Sequence, residues 1–219
     1  MIRLLRGAER FVSDDNGIRS LHWYSSGAHY DPQRMGFASL VGYDEHIVAP
    51  GRGFEAHPHR GVDIYTWVLE GTLEHCDDAG NVHEVHPGML QIQRTGTGVE
   101  HSETNPSATE DLRFLQILLL PSDNLAAPQY ILGTYHEIAD AGLAPIEHIQ
   151  LRPDVSYELA DAVAHVQVLS GSVVLQPLSG EEFLGQGEKL AAEDCLEVKE
   201  QSVALVAREA TELLITTVR

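Results

Sequence analysis

The chain has 219 residues, of which 43% are hydrophobic and 21% charged, with a formal net charge of −19 from 14 Lys+Arg against 33 Asp+Glu. Those proportions belong to a soluble globular protein with a substantial core, built as one large β domain or two of about 100 residues each. A surface this acidic repels phosphate backbones and anionic membranes, which argues against direct nucleic-acid binding and membrane attachment.

The N-terminal stretch MIRLLRGAERFVSDD (1–15) lacks the apolar core of about 7–15 residues that marks a secretory signal. No segment reaches the roughly 18 apolar residues needed to span a bilayer, so a cytoplasmic protein is expected. Short β-prone runs follow, separated by turn residues. The first are ASLVGY (38–43), VDIYTWVL (62–69) and MLQIQ (89–93), with DDAGN (77–81), HPG (86–88) and RTGTG (94–98) as punctuation. RFLQILLL (113–120) is next. The stretch 122–140 carries a weak helical signal, but PSDNLAAPQY (121–130) holds two prolines and reads as a connecting loop. HVQVL (165–169), VALVA (203–207) and LLITTV (213–218) close the series. Many short strands with regular turn signals predict an all-β sandwich or barrel.

The pattern repeats. LEGTLEHCDDAGNVHEVHPGML begins at Leu69 and LSGSVVLQPLSGEEFLGQGEKL at Leu169. Gly71 and Gly171, and Gly80 and Gly180, match at an offset of 100, and Gly88 matches Gly187 one residue short. Turn glycines are hard to replace, so three pairs in register predict two copies of one β domain. At that offset His57 and His59 face Tyr157 and Leu159, so any histidine chemistry of the first half is absent from the second.

Two cysteines, Cys76 and Cys195, have no CxxC or zinc-ribbon spacing and are expected as free thiols. Of the twelve histidines, His22, His29, His46, His136, His148 and His165 have no ligand-type neighbour at strand spacing and are expected to be solvated or hydrogen-bonded. His83 and His86 flank a hairpin, and His75 lies within the strand-like GTLEHC; none is favoured as a ligand. Two segments differ. His57-Pro58-His59 and His101-Ser102-Glu103 each set two metal-competent groups at i and i+2, hence on one strand face. Three imidazoles and a carboxylate suit iron(II), manganese, nickel, copper or zinc, with one or two positions left for water or substrate. No GxSxG elbow, P-loop or strand-to-helix GxGxxG occurs.

Gly51 followed by His57-Pro58-His59 and Gly71, then Gly88 and GTGVEHSE (96–103), resembles the paired motifs of the cupin superfamily in their pirin form. YDPQRMGF (30–37), VAPGRGFEAHPHRGVDI (48–64), LEGTLEH (69–75) and LRFLQILLLP (112–121) extend the resemblance to pirins over about residues 1–125. The resemblance implies two tandem cupin barrels (double-stranded β-helix, jelly-roll): an N-terminal metal-binding cupin over 1–125 and a degenerate cupin without metal ligands over 126–219. It places the metal ligands on His57, His59, His101 and Glu103, with one divalent metal, iron(II) by family habit. It implies a dioxygenase acting on a flavonol such as quercetin with O2, Glu103 serving as general base. The alternative is a non-enzymatic, redox-sensing regulator that binds a protein partner. A monomer is expected. Departures from the family pattern include Asp63 where pirins commonly carry Glu, which leaves a role around the ligands open, Met89 after Gly88, and Leu118 in place of Trp.

Overall fold

The computed structural model describes residues 1–122, 126–178, 183 and 185–219. The first strands are β1 (Ile2–Leu5), β2 (Phe11–Asp15), β3 (Ile18–His22), β4 (Leu40–Val48) and β5 (Gly53–His59). They are followed by β6 (Asp63–Glu70), β7 (Leu73–Asp77), β8 (Val82–Val85), β9 (Met89–Arg94), β10 (Val99–Thr104) and β11 (Leu112–Leu119). β12 (Gln129–Thr134) runs into α1 (Tyr135–Asp140), the sole α-helix among the described residues. The last strands are β13 (Ile146–Leu151), β14 (Ser156–Ser170), β15 (Ser172–Pro177), β16 (Lys189–Ala191), β17 (Cys195–Ala207) and β18 (Thr211–Thr217). The chain is all-β, as its periodicity requires. The 122–140 segment yields β12 and a short helix, which starts at a reciprocal cap between Thr134 and Glu137.

Two compact units form: Phe11–Ala144, and Met1–Arg10 together with Pro145–Arg219. The sequence reading set the boundary after residue 125, whereas the structure sets it after Ala144. The reason is pairing. β12 is hydrogen-bonded to β9 from Gln129↔Arg94 to Thr134↔Met89, which keeps it in the first unit. β1 pairs with β17 from Ile2↔Val198 to Leu5↔Cys195, which carries the first ten residues to the other unit.

In the unit Phe11–Ala144, a sheet of order β12-β9-β6-β11-β4-β3-β2 faces a four-stranded sheet of order β5-β10-β7-β8. Val48, Val68, Leu73, Val85, Leu112 and Phe114 form a buried apolar cluster at one end. β2 and β3 meet at Asn16-Gly17, whose φ of 50° and 79° suit the two-residue hairpin turn that Asn-Gly favours.

The other unit is one sheet of order β13-β18-β14-β17-β15-β16, with β1 added on β17. Its long strands β14 and β17 bend where their pairing shifts between Leu159 and Val163, next to Asp161 and Glu200 at positive φ. They wrap around a core that includes Leu159, Val166, Val173, Leu205, Ala207 and Ile215.

The repeat is visible in the ladders. Gly71 and Gly171 occupy matching turns at φ 78° and 75°; Gly180 lies outside the described residues. His57↔His101 and His59↔Val99 in one unit correspond to Tyr157↔Leu205 and Leu159↔Val203 in the other. Glu103↔His75 likewise corresponds to Ala207↔Val173. The places of His57, His59, His101 and Glu103 are therefore filled by Tyr157, Leu159, Leu205 and Ala207.

Candidate metal centre

β5 and β10 run antiparallel with His57 directly opposite His101, so both rings stand on one face. His59 shares it by the two-residue period of the strand. A register shift between His101 and Glu103 inserts one extra residue on β5 and brings Phe54 to the same face, opposite Glu103. Gly53 lets the strands close here: a Cβ on it would lie 2.5 Å from the Glu103 carbonyl oxygen and the Thr104 Cα. The outcome is a tight cluster. Ring centroids are 4.8 Å apart for His57–His59 and for His57–His101, and 5.0 Å for His59–His101.

Ligand atoms of His57, His59 and His101 lie within 4.8 Å of one another. A second such group joins His75, His101 and Glu103, so Glu103 reaches the cluster through His101. The structure thus brings His57, His59 and His101 together and sets Glu103 beside His101, in a group with His75, which the sequence reading did not favour. His75 is fully buried on β7, opposite Glu103, with its ring 5.3 Å from that of His101 and stacked on Tyr130 at 4.5 Å.

Glu103 is 1% exposed and held by three donors. Gln91 Nε2 donates to its Oε1 at 2.8 Å, Thr66 Oγ1 to the same oxygen at 3.3 Å, and Gln116 Nε2 to its Oε2 at 2.6 Å. Tyr130 Oη donates to Gln91 Oε1 at 3.0 Å, which fixes which way that amide points. Thr66, Gln91 and Gln116 sit in one row across the facing sheet, since Gln116 pairs with Thr66 and Thr66 with Gln91. The row continues to Asp44 and His22. The sequence signal for it was present: VDIYTWVL carries Thr66, and MLQIQ carries Gln91 and Gln93 on one strand face, among apolar residues, and a buried polar group requires a partner. Asp63 does not join this set. It lies on the opposite face of β6 from Thr66, in register with Arg94, and burial raises its carboxyl above the ordinary range against the pull of that guanidinium.

The imidazoles are in the form a metal ion needs. Burial first, then mutual repulsion among the rings, lowers His59 and His101 to about 4, and burial also lowers His75. They are neutral near pH 7, with lone pairs available. His59 Nε2 and both ring nitrogens of His101 are buried without a hydrogen-bond partner. His57 Nδ1–H donates to the Glu55 carbonyl at 2.7 Å, which leaves Nε2 to face the cluster. Buried neutral nitrogens without partners, backed by an anchored carboxylate, fit a divalent transition metal. His57, His59 and Glu103 line a cavity of about 350 Å³ together with Phe54, Leu118, Ser13, His22, Asp44 and His46, while His101 stands behind them. A cavity of that volume accommodates a small aromatic molecule.

Two tandem β units, one with histidines and a carboxylate converging from adjacent strands, define a bicupin. The chain belongs to the Pirin family, whose model matches residues 6–119. It is 42% identical over 130 residues to a quercetin 2,3-dioxygenase of Escherichia coli (strain K12), a match covering 59% of this chain and 56% of that protein. The chain thus spans little over half the length of the curated relatives it matches. Among solved structures it is similar to YhhW from Escherichia coli, with a TM-score of 0.88 and 31% identity over 100% of this chain and 98% of that one. A second structure, of bacterial pirin YhhW in complex with nickel(II), gives the same TM-score and identity and is covered to 99%. Among the described residues no helix is long and apolar enough to cross a membrane.

Proposed function

We infer that this chain is a metal-dependent oxygenase that cleaves a flavonol-like aromatic substrate with dioxygen. The observation that carries this reading is the convergence of three imidazoles within 4.8 Å, two of them, His57 and His59, lining a cavity of about 350 Å³. His57, His59, His101 and Glu103 are assigned as the metal's protein ligands, and the unit Met1–Arg10 with Pro145–Arg219 is assigned no metal. Iron(II) is the proposed ion, and the nickel(II) complex of YhhW supports a site of this borderline character. When bound, the ion supplies Lewis acidity and a point of attachment for dioxygen chemistry.

The chain's own residues do the rest. Phe54 and Leu118 give the substrate apolar walls. Glu103, aligned by Gln91, Thr66 and Gln116, takes the proton of the acidic enol hydroxyl as general base. The Glu55 carbonyl holds the His57 ring in one orientation. The test is oxygen-dependent loss of quercetin absorbance by protein whose metal content is fixed by elemental analysis. Turnover that disappears in His57→Ala is expected; no turnover by fully loaded protein refutes the reading.

A further inference from the structure

The wall of the cavity away from the histidine cluster carries a second arrangement. His22 Nδ1 lies 2.9 Å from Asp44 Oδ1, and His22 Nε2 lies 2.9 Å from Ser13 Oγ. Asp44 as a carboxylate only accepts, so His22 donates to it from Nδ1; in the tautomer that carries its one proton there, Nε2 accepts from the Ser13 hydroxyl. His22 and Asp44 are 7% and 9% exposed, and all three residues line the cavity. Strand register holds the set rigid, with His22 opposite Asp44 on β3 and β4, and Ser13 on the neighbouring β2.

We propose that Ser13, His22 and Asp44 form a hydrolytic site for aromatic esters, with Ser13 as nucleophile, His22 as base and acid, and Asp44 as the positioning residue. A hydroxyl within hydrogen-bond reach of an imidazole whose far nitrogen is fixed by a buried carboxylate is the arrangement that activates serine in acyl transfer. Ser13 Oγ adds to the ester carbonyl as its proton passes to His22 Nε2. Collapse expels the phenol, which takes that proton, and water repeats the sequence to release the acid and restore Ser13. The sum is ester plus water giving acid plus phenol, with no oxidant consumed.

Donors for the developing oxyanion are at hand. Ser26 and His29 close a tight turn through two backbone bonds, while the Gly27 and Ala28 N–H groups between them donate to nothing among the described residues. Both residues line the cavity, and His29 Nε2 bonds the Val12 carbonyl beside Ser13. The ester class rests on the oxygenase reading: opening a flavonol's heterocycle with loss of carbon monoxide leaves an aryl ester of an aromatic acid. The two activities would then act in sequence in one cavity.

The test uses 4-nitrophenyl benzoate and the full chain, stripped of metal by chelation and, in parallel, metal-loaded. Hydrolysis by both forms is expected, with kcat/KM falling about 100-fold or more in Ser13→Ala and His22→Ala. Ser202→Ala, which alters a serine of the other unit that is bonded to Asp161 and does not line the cavity, should leave the rate unchanged. A fluorophosphonate should add to Ser13 of the wild-type chain, located by peptide mass. Asp44→Asn should slow that addition and move its pH profile, the titratable neighbours of His22 being Asp44, His29 and His46. Hydrolysis without quercetin turnover supports the serine site and removes only the oxygenase reading. No adduct, an adduct elsewhere, or wild-type hydrolysis by Ser13→Ala overturns it.

Discussion

Gln91 is the side chain whose removal best tests how the carboxylate is anchored. It is fully buried, its amide donates to Glu103 at 2.8 Å and to Thr66 Oγ1 at 3.1 Å, and its carbonyl accepts from Tyr130 at 3.0 Å. Gln91→Leu keeps the volume and removes every one of these bonds. A hydrogen bond to a buried charge is worth about 1.5–3 kcal/mol, and the stranded Tyr130 hydroxyl adds a smaller cost because that ring is partly exposed. Apolar burial of the leucine offsets about 1 kcal/mol of this. The metal-free protein should therefore lose about 2 kcal/mol in urea unfolding with a chelator present. Nickel affinity by calorimetry should fall about 10- to 100-fold, because the carboxylate is no longer aimed. Gln93→Leu is the control: that amide is also buried on β9 but donates only to the Gln129 carbonyl at 3.2 Å. It should cost about 1 kcal/mol and leave nickel affinity unchanged. Equal losses in the two variants, or unaltered affinity in Gln91→Leu, would refute the anchoring argument.

Two other perturbations have clear signs. His165 on β14 is fully buried, and that burial lowers it to about 3. Its folded value lies below the ordinary 6.5, so its contribution is intact above about pH 6.5 and is lost as pH falls toward 3. Between about pH 7.5 and pH 5 this amounts to about 2 kcal/mol; His165→Leu should show that much less acid destabilisation, and an equal loss would disprove the assignment. Gly53→Ala should push β5 off β10, since its Cβ meets backbone at 2.5 Å. Nickel affinity should drop about tenfold or more although no ligand has changed, and wild-type affinity would show that the strand spacing is not what sets the cluster.

Much of the site was legible because strand periodicity is simple. HxH and HxE at i and i+2 must share a face, and the ladder does set His57 against His101. Less visible was what lies across the barrel. Thr66, Gln91 and Gln116 meet Glu103 only because two sheets face each other, and single-strand patterns do not encode that distance. His75 was passed over for the same reason: its role depends on being opposite Glu103, not on its neighbours in sequence. The cavity wall of Ser13, His22 and Asp44 needed β2 and β3, which the hydrophobic runs did not mark. Asn16-Gly17 between two short alternating segments was the available signal for that hairpin. The boundary was displaced because β1 and β12 each pair with strands far away in sequence, and no local composition shift records such pairing.

The two units, with one ladder and two sets of side chains, separate what the fold needs from what chemistry needs. Thr66 and Gln116 face each other on β6 and β11, and Val166 and Ile215 face each other on β14 and β18. Together with the ligand positions, a polar set in one unit stands where the other unit has Tyr157, Leu159, Leu205 and Ala207, which belong to or pack against its apolar core. The fold therefore does not require polarity at any of these places. Each buried apolar side chain contributes about 1.5–3 kcal/mol, whereas a matched polar network gives little net stability and costs heavily if one member is removed. It follows that changing Glu103 alone, or its donors alone, should destabilise the metal-free unit, while replacing the network together should not. Glu103→Leu combined with Thr66→Val, Gln91→Leu and Gln116→Ile should be at least as stable as the parent in chelator, by about 0–3 kcal/mol, with nickel binding lost. A combined variant less stable than Gln91→Leu would mean that the network holds the barrel together; one more stable than the parent would mean that these buried polar groups are retained for what they do in the cavity.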